Sequence, residues 1–465
     1  MSRLQRLLPC LWRSIVKLLI LAAALAATGC ASLSPDGGSA DVQALAGGNP
    51  LTGGAAPHRA PDAQSTRVVD ELLTRPLDAE AAVRIALLNG PRMQAAFAAL
   101  QLSDAERVQA ASLPNPVFAF GRLREGNALE IDRALTFNVL NLIALPWQAR
   151  WAGQRHEVAK MQAAQSVLAL AADTRRAWVR AVAARQGLSY LRDAKDAADA
   201  GAQLAHRMAQ VGNWSALQRT REQLLLADAA AQLARAEQVV VASREQLTRL
   251  LGLNGAQAAA YTLPDRLPAL PASAPDAGNV QALALRDRLD VRSAQMQNAA
   301  TADALGLVRV TGLVDAMELG AVRNTVFGND AERTRTTERG FELALPIPLF
   351  DWGQARNARA EALYLQSAAQ LREVGVRATS EARESLAHWT TAYGVARRYQ
   401  DEVLPLRRKV NDEMVLRYNG MLASVWELLG ETRASMLAVN AAIEAQRDFW
   451  LADTDLQLAL TGSAS

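Results

Sequence analysis

The chain has 465 residues and a net charge of +3, from 50 basic and 47 acidic residues that are spread evenly along it. Half of its residues are hydrophobic but only 5% are aromatic, and this Ala- and Leu-rich composition favours long, closely packed helices over a core of large rings. Because no block of basic residues is present, the sequence lacks the electrostatic footprint of a nucleic-acid-binding protein.

The N-terminus has the layout of a secretory signal peptide, which we assign to residues 1–29. Basic residues precede a short apolar run, Leu18 to Ala27, that is too short for a comfortable membrane span. Small residues directly before Cys30 resemble a lipobox, although the box usually carries Leu where Ala27 stands. We therefore expect cleavage before Cys30 and lipidation of Cys30, which would anchor the chain because each buried CH₂ contributes about 0.8 kcal/mol. The alternative is an ordinary cleaved signal followed by an incidental cysteine.

Residues 30–74 are predicted to be a lipidated N-terminal tether. Gly, Ser, Pro and Ala dominate this stretch, and it shows no helical or strand periodicity. Ala31 follows the cysteine where an Asp would be expected in a retained lipoprotein, which is compatible with sorting to the outer membrane.

Beyond Cys30 the sequence has no uncharged apolar run of about 18 residues, which a membrane-spanning helix requires. Four short segments are predicted to be strands: Val117 to Leu123, Arg133 to Leu142, Leu307 to Val314 and Phe341 to Leu345. Apolar residues alternate with small or polar ones in such segments, as in the wall of a closed β-barrel that spans a bilayer. The alternative is four strands of a soluble sheet.

The segments between the strands are predicted to be helices. They are Leu77 to Ala111 with a bend at Pro91, Trp147 to about Gln210, Trp214 to Gly252, Val280 to Ala304, Gly353 to about Tyr418 with Pro405 inside, and Leu422 to Leu460. The two longest have about 65 residues, or roughly 95 Å. Coiled coils and ducts use helices of that length, whereas globular domains rarely need them.

The order helix, two strands, long helix, glycine break and helix occurs twice. We assign residues 75–262 to a first repeat, 279–461 to a second, and 263–278 to a Pro-rich connector between them. Gly212-Asn213-Trp214-Ser215 and Met421-Leu422-Ala423-Ser424 occupy the same place in the two copies. A duplicated hairpin with very long helices suits a wall that is built from many similar helices side by side. The alternative is a chance similarity of Ala-rich helices.

Five segments within about residues 75 to 460 resemble motifs of the TolC/NodT outer-membrane factor family. The most specific runs from Leu345 to Gly353 and is close to the family's P.LFDWG junction. The others are the opening helix with Asn89-Gly90-Pro91, the strand entry Leu113-Pro114-Asn115-Pro116, Arg288-Leu289-Asp290, which lacks the proline of the family's RPD element, and the tip from Arg417 to Leu429. At that tip the usual glycine is displaced to Gly420, and Met421 takes its place.

The resemblance implies a mainly α protein with a small β part and an internal duplication. In such a protein a homotrimer closes about twelve strands into an outer-membrane β-barrel, which a long α-helical barrel continues into the periplasm. It serves as the passive exit duct of a tripartite efflux or type I secretion-like system. An inner-membrane pump supplies the power, and a periplasmic adaptor (membrane fusion) protein docks at the lower end.

The same resemblance implies roles for residues at the two hairpin tips. The adaptor would dock on Gly212, Ser215, Gly420, Ala423 and Ser424. Glu427 matches the family's acidic constriction, where three copies would concentrate negative potential and select for cations. Arg417 would pair with an acid of a neighbouring helix and hold the closed state. The alternative for Glu427 is an ordinary surface glutamate on a helix.

Other classes of protein are disfavoured by what the sequence lacks. His58, His156, His206 and His388 are scattered without an HExxH or comparable metal spacing, and no GxSxG or Walker loop is present. We therefore predict no catalytic residues, no metal site and no cofactor. A lipid-anchored periplasmic coiled-coil adaptor or scaffold protein is the competing interpretation, but an adaptor has one helical hairpin between β-rich halves, and here the hairpin occurs twice.

Overall fold

A computed structural model describes residues 32–57, 62–125, 128–272, 279–311, 317–328, 335–345, 347 and 349–462. The predicted signal peptide at residues 1–29 and the predicted lipidation site Cys30 lie outside the described residues. Within the described part, long helices dominate and a small antiparallel sheet interrupts them, which confirms the mainly α fold class with a small β part.

The elements follow one another in a repeated order. They are α1 (Ser39–Ala46), α2 (Ala63–Leu73), α3 (Ala79–Asn89), α4 (Pro91–Ala111), β1 (Val117–Glu125), β2 (Ala128–Asn138), α5 (Val139–Gln210), α6 (Ala216–Leu251), α7 (Gly255–Ala260), α8 (Val280–Asp287), α9 (Leu289–Thr311), β3 (Glu318–Phe327), β4 (Arg335–Ala344), α10 (Gln354–Arg398), a π-helical turn (Tyr399–Val403), α11 (Leu404–Asn419) and α12 (Val425–Thr461). The run from α3 to α6 has the same order as the run from α8 to α12, as the predicted duplication requires.

The chain divides into two compact units. One comprises Met1–Gly38, Ala99–Ala159 and Gln295–Gln370 and contains the sheet; the other comprises Ser39–Ala98, Lys160–Ala294 and Leu371–Ser465 and contains both hairpin tips. Among the described residues, no helix combines the length and the apolarity that crossing a membrane would need.

The sheet has the strand order β1-β2-β3-β4, and every neighbouring pair is antiparallel. Three of the four predicted strands overlap β1, β2 and β4. The predicted strand Leu307 to Val314 is wrong over its described residues, 307–311, which belong to α9, and β3 begins at Glu318. The β-branched residues of that segment suggested a strand, but strand propensity is a weak signal that the helical context overrides.

The boundary between β2 and α5 also differs from the prediction. The helix begins at Val139 instead of Trp147 and contains Pro146. Its start is capped by Asn138, whose side-chain Oδ1 accepts a hydrogen bond of 3.0 Å from the backbone N–H of Asn141. Asn is a favoured N-cap residue, so the cap fixes the start of the helix where the apolar pattern alone did not.

The predicted tether at residues 30–74 is wrong for much of its length, because it contains α1 and α2. Val42, Ala46 and Leu51 are fully buried. Arg175 of α5 donates hydrogen bonds to the carbonyl of Leu51 at 2.9 Å and to that of Pro50 at 2.8 Å. Composition alone suggested a flexible segment, but its few apolar residues are placed so that they pack onto the helices.

The opening helix of each repeat breaks at an equivalent residue. Gly90 ends α3 with φ −68° and ψ 127°, and Arg288 ends α8 with φ −65° and ψ 128°. In the first repeat, Asn89 Nδ2 donates to the carbonyl of Gly252 at 2.9 Å, where α6 ends. In the second, Arg288 Nη1 donates to the carbonyl of Ala459 at 3.2 Å, near the end of α12. Each repeat therefore ties its opening helix to the end of its closing helix.

Arg288 is fully buried and is held by two carboxylates. Its guanidinium lies 2.7 Å from Asp290 Oδ2 and 2.7 Å from Glu381 Oε2. Burial acts to lower the pKa of Arg288, but the hydrogen bonds to Asp290 and Glu381 outweigh it and raise the pKa. This network explains the Arg288-Leu289-Asp290 element as a structural anchor.

The long helix of the second repeat is interrupted by the π-helical turn Tyr399–Val403, directly before α11. Pro405 cannot donate the backbone hydrogen bond that a regular α-helix requires at its position. A π-helical turn in the preceding residues accommodates this loss, so the predicted single helix becomes two helices in line.

The described part of the predicted Pro-rich connector, residues 263–272, packs against the helices of the second repeat. Gln446 Nε2 and Trp450 Nε1 donate to the carbonyl of Pro268 at 2.6 and 3.1 Å, and the Tyr393 hydroxyl donates to that of Pro271 at 3.1 Å. Beneath it, Trp389, Phe449 and several buried alanines form an apolar cluster. These hydrogen bonds therefore hold the described part of the connector in place against the second repeat.

Candidate functional site

Both hairpin tips turn through one residue in the left-handed region. Gly212 has φ 79°, and Met421 has φ 61° at the equivalent place. The backbone N–H groups of Asn213 and Leu422 then bond to the carbonyls of Met208 at 3.0 Å and Arg417 at 2.8 Å. Gly420 itself has φ −81°. Met421 thus has at the second tip the left-handed backbone that Gly212 has at the first.

The helix that leaves each tip begins with a capping box. Ser215 accepts from the N–H of Gln218 at 3.3 Å, and Gln218 Oε1 accepts in return from the N–H of Ser215 at 3.0 Å. Ser424 and Glu427 repeat the arrangement, with 3.3 Å and 2.7 Å for the two bonds. Ser-x-x-Gln and Ser-x-x-Glu satisfy two otherwise unpaired backbone donors at the start of a helix. These boxes fix α6 and α12 relative to their turns.

A pair of tryptophans joins the two tips. The rings of Trp214 and Trp426 are stacked, with centroids 4.0 Å apart and planes inclined by 28°. The predicted docking residues Gly212, Ser215, Gly420, Ala423 and Ser424 all lie within a few residues of this pair along the chain. Neither tryptophan was among the predicted site residues. The presence of a tryptophan close to each helix break could have indicated a contact between the two tips.

Large apolar side chains are exposed at the tips. Met421 is 94% exposed and Leu422 is 81% exposed, and Val211 and Leu217 of the first tip are also exposed. Side chains of this kind at the end of a hairpin suit an apolar partner surface better than water.

The two predicted gate residues, Glu427 and Arg417, are both exposed, and the charge of Arg417 affects the pKa of Glu427. The pKa of Glu427 is lowered by the backbone N–H and the hydroxyl of Ser424, with a smaller contribution from the charge of Arg417. Arg417 itself pairs with Glu413 of its own helix at 3.3 Å. The carboxylate of Glu427 is therefore ionised, and its position at the tip is fixed by the capping box.

Two other ion pairs connect neighbouring helices near the tips. Arg433 of α12 lies 2.9 Å from Glu222 of α6, and Arg407 of α11 lies 3.4 Å from Glu431 of α12. The first pair is largely buried. Both pairs join neighbouring helices.

The sheet in the other unit has two chemically different faces. Because side chains alternate along a strand, the register places Phe118, Leu135, Ala321 and Phe341 side by side on one face, which we call the apolar face. Phe137, Leu319 and Leu343 lie on the same face, nearer to the strand ends that lead to the helices. The opposite face, which we call the acidic face, carries Glu130, Asp132, Glu318, Glu338 and Glu342.

The junction after β4 explains the most specific motif of the sequence. Gly353 has φ 77°, and its N–H donates to Asp351 Oδ1 at 2.8 Å. An Asp that accepts from the residue two positions later forms a tight turn, and the left-handed backbone that follows favours glycine. The turn leaves the aromatic rings of Phe350 and Trp352 exposed.

Within the described residues, no cluster of three or more His, Cys, Asp or Glu side chains is placed to hold a metal ion. His58 lies outside the described residues.

Neither a protein-family model nor a curated protein sequence matches the chain. Solved structures do resemble it. The CmeC outer membrane channel of Campylobacter jejuni matches with a TM-score of 0.70 at 15% identity, over 87% of this chain and 89% of that one. The outer-membrane channel OprN matches with a TM-score of 0.67 at 17% identity, over 90% and 97%. The open state of the MtrE outer membrane channel of Neisseria gonorrhoeae matches with a TM-score of 0.66 at 17% identity, over 83% and 89%.

These matches extend over most of each chain, and the matched fold contains the duplicated hairpins and the small sheet. At such low identity they establish the fold alone. The chain has the fold of outer-membrane channels such as CmeC, OprN and MtrE, which is the TolC-like fold that its motifs resemble.

Proposed function

We propose that this protein is the outer-membrane channel of a tripartite efflux or type I secretion-like system. It is a passive conduit from the periplasm to the exterior, and its gate lies at the periplasmic hairpin tips. The observation that carries the proposal is the sheet with one apolar and one acidic face, in a chain with the fold of outer-membrane channels. Such a sheet suits a wall between lipid and water.

The described residues of one chain supply four strands, too few to enclose a pore. We therefore propose a homotrimer, in which twelve strands close one wall and the long hairpins form a helical tunnel. Lipidation of Cys30 would add an anchor in the outer membrane.

We assign the partner contacts to the tips. A periplasmic adaptor would dock at Gly212, Ser215, Gly420, Ala423 and Ser424, and the exposed Met421 and Leu422 would add apolar contact. An inner-membrane pump would supply the energy. Glu427 would form a ring of three carboxylates that narrows the closed tunnel and favours cations. The positive charge of Arg417 would help to keep these carboxylates ionised.

Electrical recording from purified full-length protein in a planar bilayer tests the proposal. We expect discrete, cation-selective conductance steps, together with a trimer after chemical cross-linking. A lipid-anchored adaptor or scaffold would bind partners without conducting ions. A purified protein that stays monomeric and leaves the bilayer impermeable would sink the proposal.

A further inference from the structure

The arginines of the sheet are all on one face. The apolar face carries Arg122, Arg124, Arg133, Arg323, Arg335 and Arg339, whereas the five acids with described side chains lie on the acidic face. Side-chain contacts confirm this division. The guanidinium of Arg335 lies over the ring of Phe327, 5.6 Å from its centroid. On the other face, Asp132 stands directly beside Gly121. Each face thus carries charges of a single sign.

Three of these arginines form a row across three strands. Arg133 is the register partner of Arg323, and Arg323 is the register partner of Arg339. Directly opposed side chains have Cβ atoms about 5 Å apart, and like charges in such positions destabilise the pairing. No ion pair within the described residues joins any of the three to a carboxylate. Opposed in register, the three like charges repel one another, and a bound anion would stabilise the row.

The position of the row identifies the kind of anion. It lies two residues farther from the helix-connected strand ends than the row of Phe118, Leu135, Ala321 and Phe341. Two residues of a strand span about 7 Å. An apolar band with guanidinium groups directly beyond it matches a lipid, whose acyl chains end at a phosphate. Guanidinium groups bind phosphate in a bidentate geometry that a single ammonium cannot match.

We propose that Arg133, Arg323 and Arg339 bind the phosphate groups of phosphorylated lipids in the bilayer that surrounds the sheet. The inference rests on the proposed function, because it requires the apolar face to be in contact with lipid. A small soluble anion would not need the adjacent apolar row, whereas a lipid uses both parts. The bound headgroups then fix the depth of the sheet in the membrane. Their negative charge offsets the repulsion among the three arginines.

Lipid retention by the full chain tests the proposal. The protein is reconstituted into bilayers of phosphatidylcholine and phosphatidic acid, extracted with mild detergent, and its bound lipids are quantified by mass spectrometry. We expect the wild type to retain phosphatidic acid above its share in the bilayer. The triple variant Arg133→Gln, Arg323→Gln, Arg339→Gln should lose roughly fivefold or more of that enrichment, given the usual contribution of each basic residue at an anionic surface.

A matched control removes the same charge elsewhere. The variant Arg221→Gln, Arg372→Gln, Arg408→Gln loses three exposed arginines from α6, α10 and α11, and its enrichment should equal that of the wild type. If the triple strand variant does not insert, the single variant Arg323→Gln replaces the centre of the row. Equal enrichment in wild type and strand variant would overturn the proposal. So would loss of the wild-type enrichment on adding millimolar inorganic phosphate, which would mark a free-anion site.

The failure of this inference differs from the failure of the proposed function. A wild type that conducts ions but retains phosphatidic acid only at its bulk share refutes the lipid site and leaves the channel standing. A wild type that conducts in none of these bilayers refutes the channel.

Discussion

Trp214 and Trp426 bring the two hairpin tips together, since their rings stack with centroids 4.0 Å apart although the residues belong to different repeats. Offset-stacked aromatic pairs contribute about 0.5–1.5 kcal/mol beyond the area that they bury. The contact therefore couples the turn after α5 to the first turn of α12. Any movement that separates the tips must break it.

We expect Trp214→Ala and Trp426→Ala to be non-additive. A double-mutant cycle should give a coupling energy of about 0.5–1.5 kcal/mol, measured from urea midpoints of the purified protein. Trp214→Phe, which keeps a ring at the position, serves as the control and should retain most of the coupling. If the two alanine substitutions add independently, the stack does not connect the tips.

Met421 occupies a left-handed backbone position that costs an L-residue about 1–2 kcal/mol, and its side chain is 94% exposed. Met421→Gly should therefore stabilise the protein, by up to about 1 kcal/mol after the greater freedom of glycine in the unfolded chain is counted. Thermal unfolding would measure the change.

The neighbouring glycines provide matched controls for that substitution. Gly212→Ala should destabilise, because Gly212 has φ 79°. Gly420→Ala should change little, because Gly420 has φ −81° and an added Cβ would meet only ordinary contacts. A destabilised Met421→Gly variant would show that Met421 makes contacts of its own, for example with a second copy of the chain.

Glu427 should control ion selectivity in a pH-dependent way. Its pKa is lowered from the ordinary value of 4.5 by the N–H and hydroxyl of Ser424. A lowered pKa means that the carboxylate stays charged at pH 4.5 and above, and that its charge is lost only as the pH falls further, through the lowered pKa. Cation selectivity in a planar bilayer should follow that course.

Glu427→Gln separates charge from structure in this experiment. The first tip uses Gln218 in the same capping box, so the variant should fold normally but lose cation selectivity at neutral pH. Glu373→Gln removes an exposed carboxylate from α10 and should leave selectivity unchanged. Equal selectivity of the wild type and Glu427→Gln would reject the gate role.

Arg288 should be among the most sensitive positions in the chain. Arg288→Met leaves Asp290 and Glu381 without their partner and removes the bond to the carbonyl of Ala459. Breaking a buried ion pair from one side typically costs about 3–5 kcal/mol. Chemical denaturation would detect the loss. Arg286→Met is the matched control, because Arg286 pairs with Asp287 at the exposed surface, and it should not change stability measurably.

Local sequence signals predicted the long helices and both tips, because periodicity and turn chemistry act within a few residues. They did not predict the helices Ser39–Ala46 and Ala63–Leu73, since contacts such as that between Arg175 and the carbonyl of Leu51 join distant segments. The stack of Trp214 on Trp426 and the network around Arg288 escaped prediction for the same reason. The wrong strand at Leu307 to Val314 shows that β-branched composition cannot place a strand without its partners.

The capping boxes of the two tips share a geometry but differ in charge, since Gln218 is neutral where Glu427 is ionised. A ring assembled from three copies would present six hairpin tips with the same backbone geometry. Only every second tip would carry the negative charge of Glu427. A partner hairpin that binds one kind of tip would therefore bind the other kind less well.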